Sequence, residues 1–235
     1  FPAVSPAADS VVWDFGDGTT SEELTPTKIY VGGKLYTPTL KITTNKGSVA
    51  EIKKLISSNG EIQDITNDYL LNTGPKFVAS ERFGARWGVV ADWRVNAAVR
   101  QRDGGMGGWD EWEGNSMSME SWGGEPDINN GKIQQTLLKD LPAGRYYYEM
   151  VFHDFQVKDQ LYNMAVKGNE IADVDKVTTD PNVLSYTKFM GNGPTTQVES
   201  FFLPAATRVT IGFASTFIQN DQNFKLTKVR LYKEL

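Results

Sequence analysis

Hydrophobic and polar residues alternate with a period of two along most of this chain, and the runs are short. Val11 to Phe15 reads as a strand, and the Asp-Gly pair at Asp17-Gly18 supplies the positive φ that a tight reversal needs. Lys28 to Val31 reads as a second strand, ended by Gly32-Gly33. Tyr36 to Thr44 follows, with Tyr36, Pro38, Leu40 and Ile42 on one side. Asn45-Lys46-Gly47 turns the chain into Val49 to Ile56. Short strands separated by turn residues at this spacing predict a β-sandwich. Ser57-Ser58-Asn59-Gly60 is small and polar and marks a boundary. Beyond it, Ile62, Ile65 and Tyr69 recur at helical spacing, so Glu61 to Leu71 reads as a linker with a helical turn, broken by Asn72 to Pro75.

Strand patterns then resume. Ser116 to Glu120 alternates as a half-buried strand. Asn129-Asn130-Gly131 reads as a tight turn before Lys132 to Leu137. From Arg145 to Phe155, Tyr146, Tyr148, Met150 and Phe152 form an apolar face. Tyr147, Glu149, Val151 and His153 form a mixed one, expected to be solvated sheet. Leu161 to Lys167 reads as a separate strand, Asp173 to Asn182 as loop, and Arg208 to Ala214 as a strand burying Val209, Ile211 and Phe213. In the last strand Phe224 and Leu226 share one phase and Val229 and Leu231 the other. A change of phase by one residue predicts a β-bulge near Thr227-Lys228. No long helical period interrupts this half, which predicts an antiparallel jelly-roll or related sandwich. The division expected is residues 1–58, a linker over 59–75, and 76–235.

Two stretches resemble known families. Trp13-Asp14-Phe15-Gly16-Asp17-Gly18, followed by Pro26, Tyr30, Gly33, Tyr36 and Leu40, resembles a PKD domain, an immunoglobulin-like sandwich of extracellular adhesins and secreted carbohydrate-active enzymes. Little sequence precedes Trp13, so the family's first strands are missing or lie upstream. Pro38 stands where the family has valine. The resemblance makes Asp14 and Asp17 structural. Asn130 to Thr136, Leu141-Pro142-Ala143-Gly144-Arg145-Tyr146 and Val209 to Phe213 together resemble a galactose-binding-like jelly roll, most similar to a domain of unknown function in surface lipoproteins of Bacteroides-type gut bacteria. The implied fold is all-β, an N-terminal immunoglobulin-like (PKD) sandwich followed by a C-terminal galactose-binding-like jelly-roll sandwich. The implied setting is export to the bacterial outer membrane, cell surface or periplasm, with a lipid anchor upstream and a role in carbohydrate binding or cell adhesion. Related sandwiches often hold a structural calcium, but the ligand positions have no residue-by-residue match here. The resemblance carries no catalytic residues.

Composition narrows the function classes. Hydrophobic residues make up 40% of the 235 positions, ample for a packed core. A net charge of -5 argues against a nucleic-acid partner. There is no run of basic residues for anionic lipid and no apolar run long enough to span a membrane, so this stretch does not insert directly. Phe1 is not an initiator methionine, so the chain reads as a fragment from which any targeting segment has been removed. The absence of cysteine removes disulfides and thiol chemistry, and with a single histidine, His153, neither a histidine-based zinc site nor a Ser-His-Asp triad is expected. At most a calcium held by oxygen ligands is expected.

The candidate site is Gly104 to Gly124, which carries three of the six tryptophans and four acidic residues. Paired glycines predict a loop of wide backbone freedom. Trp109 and Trp112 would offer flat apolar faces, and Asp110 and Glu113 would accept hydrogen bonds, the equipment of a sugar site. The alternative is that the two indoles fold back and plug a core. Trp87 and Trp93 are expected in the core. The expected function is non-catalytic binding of a carbohydrate or surface protein. A structural spacer in a surface assembly is the second reading. A glycoside-processing enzyme is the third, and it would need two carboxyl groups facing each other across an open cleft.

Overall fold

The computed structural model describes residues 8–30, 35–45, 49–58, 61–101, 105–123 and 126–235. Among the described residues it is all-β apart from two single helical turns, and it divides into two compact units at Ile62/Gln63. The predicted turns at Gly32-Gly33 and at Lys46-Gly47, and the boundary residues Asn59-Gly60, lie outside the described residues.

The N-terminal unit contains β1 (Ala8–Asp14), β2 (Thr20–Ser21), β3 (Leu35–Tyr36), β4 (Thr39–Thr44), β5 (Val49–Lys53) and β6 (Ile56–Ser57). One sheet has the order β2-β1-β4-β5, and β3 pairs with β6. The predicted strand at Lys28 to Tyr30 is absent: that segment is irregular, and the Tyr30 hydroxyl donates instead to the Phe15 carbonyl at 3.1 Å. Val11, Trp13, Phe15 and Leu40 form the core. The indole N–H of Trp13 is not wasted inside it, because it reaches the Glu23 carbonyl at 2.9 Å. Asp14 and Asp17 are structural, as the PKD resemblance implies. Each accepts a backbone N–H two residues on, from Gly16 at 2.8 Å and Thr19 at 3.1 Å. Gly16 has φ of 71°, and a Cβ there would come within 3.0 to 3.1 Å of the Thr37 backbone. Glycine is therefore required twice over at that turn.

The C-terminal unit begins at Gln63, within β7 (Ile62–Asp64), and continues with α1 (Thr66–Tyr69). The segment expected as linker is packed: Ile65 and Leu70 are buried in this unit's core. Next come β8 (Ala79–Phe83), β9 (Trp87–Val90), β10 (Arg94–Val95), β11 (Gly108–Asp110), α2 (Trp112–Asn115), β12 (Ser116–Ser121) and β13 (Ile128–Thr136). The last five strands are β14 (Gly144–Lys167), β15 (Val183–Asn192), β16 (Thr195–Leu203), β17 (Val209–Phe217) and β18 (Gln222–Glu234). Neighbouring strands pair antiparallel in the order β10-β13-β17-β14-β18-β12-β11-β9-β8.

Strand β14 organises this sandwich. The sequence suggests two strands over Arg145–Lys167, but the chain runs through as one of 24 residues. Its first half pairs with β16 and β18 and its second half with β15 and β17, so one strand belongs to both layers. The apolar face predicted for Tyr146, Tyr148, Met150 and Phe152 is buried throughout. Phe152 sits at the centre, with the rings of Phe155, Phe189, Phe213 and Phe224 at 4.9 to 6.1 Å.

The predicted bulge is present. Val151 pairs with Lys228 but Phe152 pairs with Leu226, leaving Thr227 as the extra residue, and its hydroxyl donates to the Val151 carbonyl at 3.0 Å. Leu226 and Val229 can then both face the core. The predicted turn at Asn129 to Gly131 is instead a bulge within β13, with Asn130 at φ 54°. Asparagine tolerates that left-handed backbone, and here its side chain ties β13 to a following loop, donating to Asp173 at 2.8 Å and accepting from the Val174 N–H at 3.0 Å. That loop covers the outer face of β14 and β17, where Ile171, Ala172, Val174 and Val177 bury Tyr162, Met164, Val166 and Ala214.

Candidate functional site

The stretch expected as a loop of wide backbone freedom is mostly regular structure. Gly108–Asp110 forms β11, hydrogen-bonded between β9 and β12. Gly108 has φ of 103°, and a Cβ there would meet the Val90 side chain at 2.9 Å. The glycine serves close approach inside a sheet and not loop freedom. Gly104 and Gly124 lie outside the described residues.

Period-two alternation then separates Trp109 from Asp110. Trp109 points inward beside Met117, is 3% exposed, and donates its indole N–H to the Phe77 carbonyl at 2.7 Å. It belongs to the core, and its expected role as a ligand platform is corrected on that ground: no open face remains for a sugar. Asp110 points to the opposite face, in register with Trp87 on one side and Ser116 on the other. Ser118 on β12 stands opposite Lys225 on β18, and Glu120 stands two residues further along β12 on the same face. Strand β12 was expected to be half-buried, yet Ser116 and Ser118 are as buried as Met117 and Met119, because a polar layer covers that face.

That layer is a closed set of charges. Arg86 donates to both Asp110 oxygens, at 2.9 and 2.8 Å, and to Glu120 at 3.2 Å. Lys225 bridges the same two carboxylates, donating to Asp110 and, at 2.8 Å, to Glu120, and it also reaches Ser118 at 3.1 Å. Two cations face two anions, with Asp110 and Lys225 almost fully removed from solvent. Burial alone would raise the Asp110 carboxyl. The Arg86 hydrogen bonds and the Lys225 charge outweigh that burial and hold it below the ordinary value of 3.8. Asp110 is therefore a structural anion and not a free hydrogen-bond acceptor for a ligand, a second correction to the expected site.

Trp112 is where the site opens. Asp110 accepts the Trp112 N–H at 3.0 Å, which sets the helical turn α2. The guanidinium of Arg86 then lies between two indoles, 3.8 Å from the ring of Trp87 and 3.8 Å from that of Trp112. Trp112 is the outermost layer of this stack and is 61% exposed. Glu111, beside it in the chain, pairs with Arg82 at 2.5 Å. The Glu113 side chain lies outside the description. Trp93 is core, as expected, whereas Trp87 is only partly buried and serves as the lower plate of the stack. Nothing in the sequence pointed to Arg86 or Lys225, because the partners are 24 to 115 residues apart and only strand order brings them together.

Residues 71–212 match the family model described as Domain of unknown function (DUF5013). The chain belongs to this family. Residues 5–56, ahead of the DUF5013 domain, match a PKD domain. No curated protein sequence matches the chain. Among solved structures, it is similar to the K3 cleaved adhesin domain of Lys-gingipain from Porphyromonas gingivalis, at 15% identity over 73% of this chain and 99% of that one, with a TM-score of 0.40. It is also similar to a CBM4 structure at 12% identity, over 61% of this chain and 95% of that one, TM-score 0.41. A third is the CBM6 module of Cellvibrio mixtus lichenase 5A, in complex with cellotriose, at 9% identity over 69% and 99% of the two chains, TM-score 0.33. None of these scores is high enough to transfer a site or an activity to the DUF5013 domain. Among the described residues no group of three or more Asp, Glu, His or Cys side chains is gathered to hold a metal ion, and no helix is long and apolar enough to cross a membrane.

Proposed function

We propose that this protein is a non-catalytic binding module of an exported surface protein, and that Trp112 is its contact for carbohydrate. The observation that carries the reading is the stack itself. A large indole is 61% exposed yet held from beneath by Arg86, which is anchored through Asp110 and Glu120 to the sheet. An exposed aromatic fixed in place loses little entropy when a flat apolar sugar face settles on it. Glu113 remains the proposed polar partner for sugar hydroxyls. The glycosidase reading has little support here, since Asp110 and Glu120 are joined through shared cations and Asp110 is closed to solvent.

The test is a glycan-array screen of the chain alongside Trp112→Ala and Trp109→Ala. Trp112→Ala is expected to abolish binding with an unchanged melting temperature. Trp109→Ala is expected to melt early. An array blank for the wild type, or binding that survives Trp112→Ala, would overturn the carbohydrate assignment and leave the spacer reading.

A further inference from the structure

The face of β12 that carries the charged layer continues beyond Arg86. Ser116, Ser118 and Glu120 lie on it, while Met117 and Met119 point into the core. Trp122 follows Glu120 by two positions, makes one further β-bridge, and so returns to the same side as Glu120. It is 41% exposed, and its indole N–H donates to nothing among the described residues. Trp112 stands at the other end of the row. Its backbone N–H is held by Asp110, and Asp110 pairs with Ser116, where β12 begins. Two exposed indoles therefore mark the ends of one run, Ser116 to Trp122, about 20 Å of extended backbone.

Glu120 lies between them, and the ion network fixes how it is aimed. Arg86, at 3.2 Å, and Lys225, at 2.8 Å, both donate to its Oε2. Nothing among the described residues donates to Oε1, and that oxygen is not shut off from solvent. A carboxylate tied through one oxygen has little freedom left to lose, and the other oxygen can only accept. It is matched to hydroxyl or amide N–H donors. The guanidinium that holds Oε2 also supports the Trp112 ring at 3.8 Å, so one side chain places both the acceptor and the first indole.

We infer that Trp112, Glu120 and Trp122 form one binding row along β12, suited to an oligosaccharide of several rings and not to a single sugar. The row takes Trp112 as the carbohydrate contact proposed above and adds a second platform and an acceptor between the two. A single ring cannot reach both indoles. A chain laid along the strand can put an apolar ring face on each and give a hydroxyl from a ring between them to Glu120 Oε1. Each platform alone is shallow, because a hydroxyl released from water regains little. On one ligand the second contact becomes intramolecular, so affinity rises with chain length.

The experiment is an array of the glucose, mannose, galactose, xylose and N-acetylglucosamine series, each from monosaccharide to hexasaccharide, probed with the full chain, Trp122→Ala and Trp122→Phe. The wild type is expected to bind the long members of at least one series about tenfold more tightly than the monosaccharide, or better. Trp122→Ala, at an unchanged melting temperature, should bring the long members down to the level of the short ones, and Trp122→Phe should restore part of the gain. In an NMR titration with the tightest-binding hexasaccharide, the side-chain carboxyl carbon of Glu120 should shift. Equal affinity at every length, a length gain that survives in Trp122→Ala, early melting of Trp122→Ala as for a buried ring, or a Glu120 signal that stays in place would overturn the row and leave Trp112 as a lone platform. A wild-type array blank throughout would overturn the Trp112 reading itself, and the row with it.

Discussion

Trp109 and Trp112 lie three positions apart and meet opposite fates because a strand ends between them. While the chain is in β11, alternation sends Trp109 into the core. Once it enters α2, that alternation ends and Trp112 lies against Arg86 on the outside. Trp109→Ala should therefore cost about 3 to 5 kcal/mol as a core truncation, read as a lowered denaturation midpoint, while Trp112→Ala should leave that midpoint in place. The acid between them has its own signature. The folded-state pKa of Asp110 is depressed, so its contribution is fully present above its ordinary value of 3.8 and is lost as pH falls through the folded value. Melting followed from neutral pH down to about pH 2 should show a steep loss below about pH 4. Asp110→Asn should flatten that limb and lower stability at neutral pH by about 3 to 5 kcal/mol, because buried Lys225 and half-buried Arg86 would be left with one carboxylate. An acid limb identical in the variant would show that other carboxylates dominate it.

Strand β18 shows how one residue sets the use of an element. Without Thr227 the chain would place either Phe224 and Leu226 or Val229 and Leu231 in the core, but not both pairs. Deleting Thr227 should expose one pair, at roughly 3 to 6 kcal/mol from lost burial alone. Thermal or chemical denaturation checks this, and a deletion variant as stable as the wild type would mean that the bulge migrates along the strand. Strand β14 makes the complementary point. Its 24 residues are shared by both layers, so β15 and β16 each pair with only part of it.

For the molecule as a whole, the two units have separate cores, with Trp13 in one and Phe152 in the other. Trp13→Ala should lower the stability of the N-terminal unit by about 3 to 5 kcal/mol. Followed by calorimetry, the transition of the larger unit should stay where it is. A matched loss in both transitions would show that the units unfold as one.

Alternation, turn residues and phase were enough to read an all-β chain, the buried face of Tyr146 to Phe152, the PKD turn at Asp14 to Gly18 and the bulge at Thr227. Each depends on residues close together in the chain, where the period of the backbone alone dictates which side a residue faces. The candidate site was legible only as a neighbourhood. Its tryptophans and acids are visible in sequence, but which of them is exposed depends on β9 and β12 lying beside β11 and on β18 lying beside β12. The same holds for the separation of Asn129 to Gly131 from an ordinary turn, since a glycine or asparagine with positive φ serves a hairpin and a bulge equally well. Arg86 and Lys225 reach Asp110 from 24 and 115 residues away, and Glu199 meets Tyr148 across 51 positions, 199 minus 148. No local pattern encodes such meetings. They follow from strand order, and strand order is settled by the packing of the whole core.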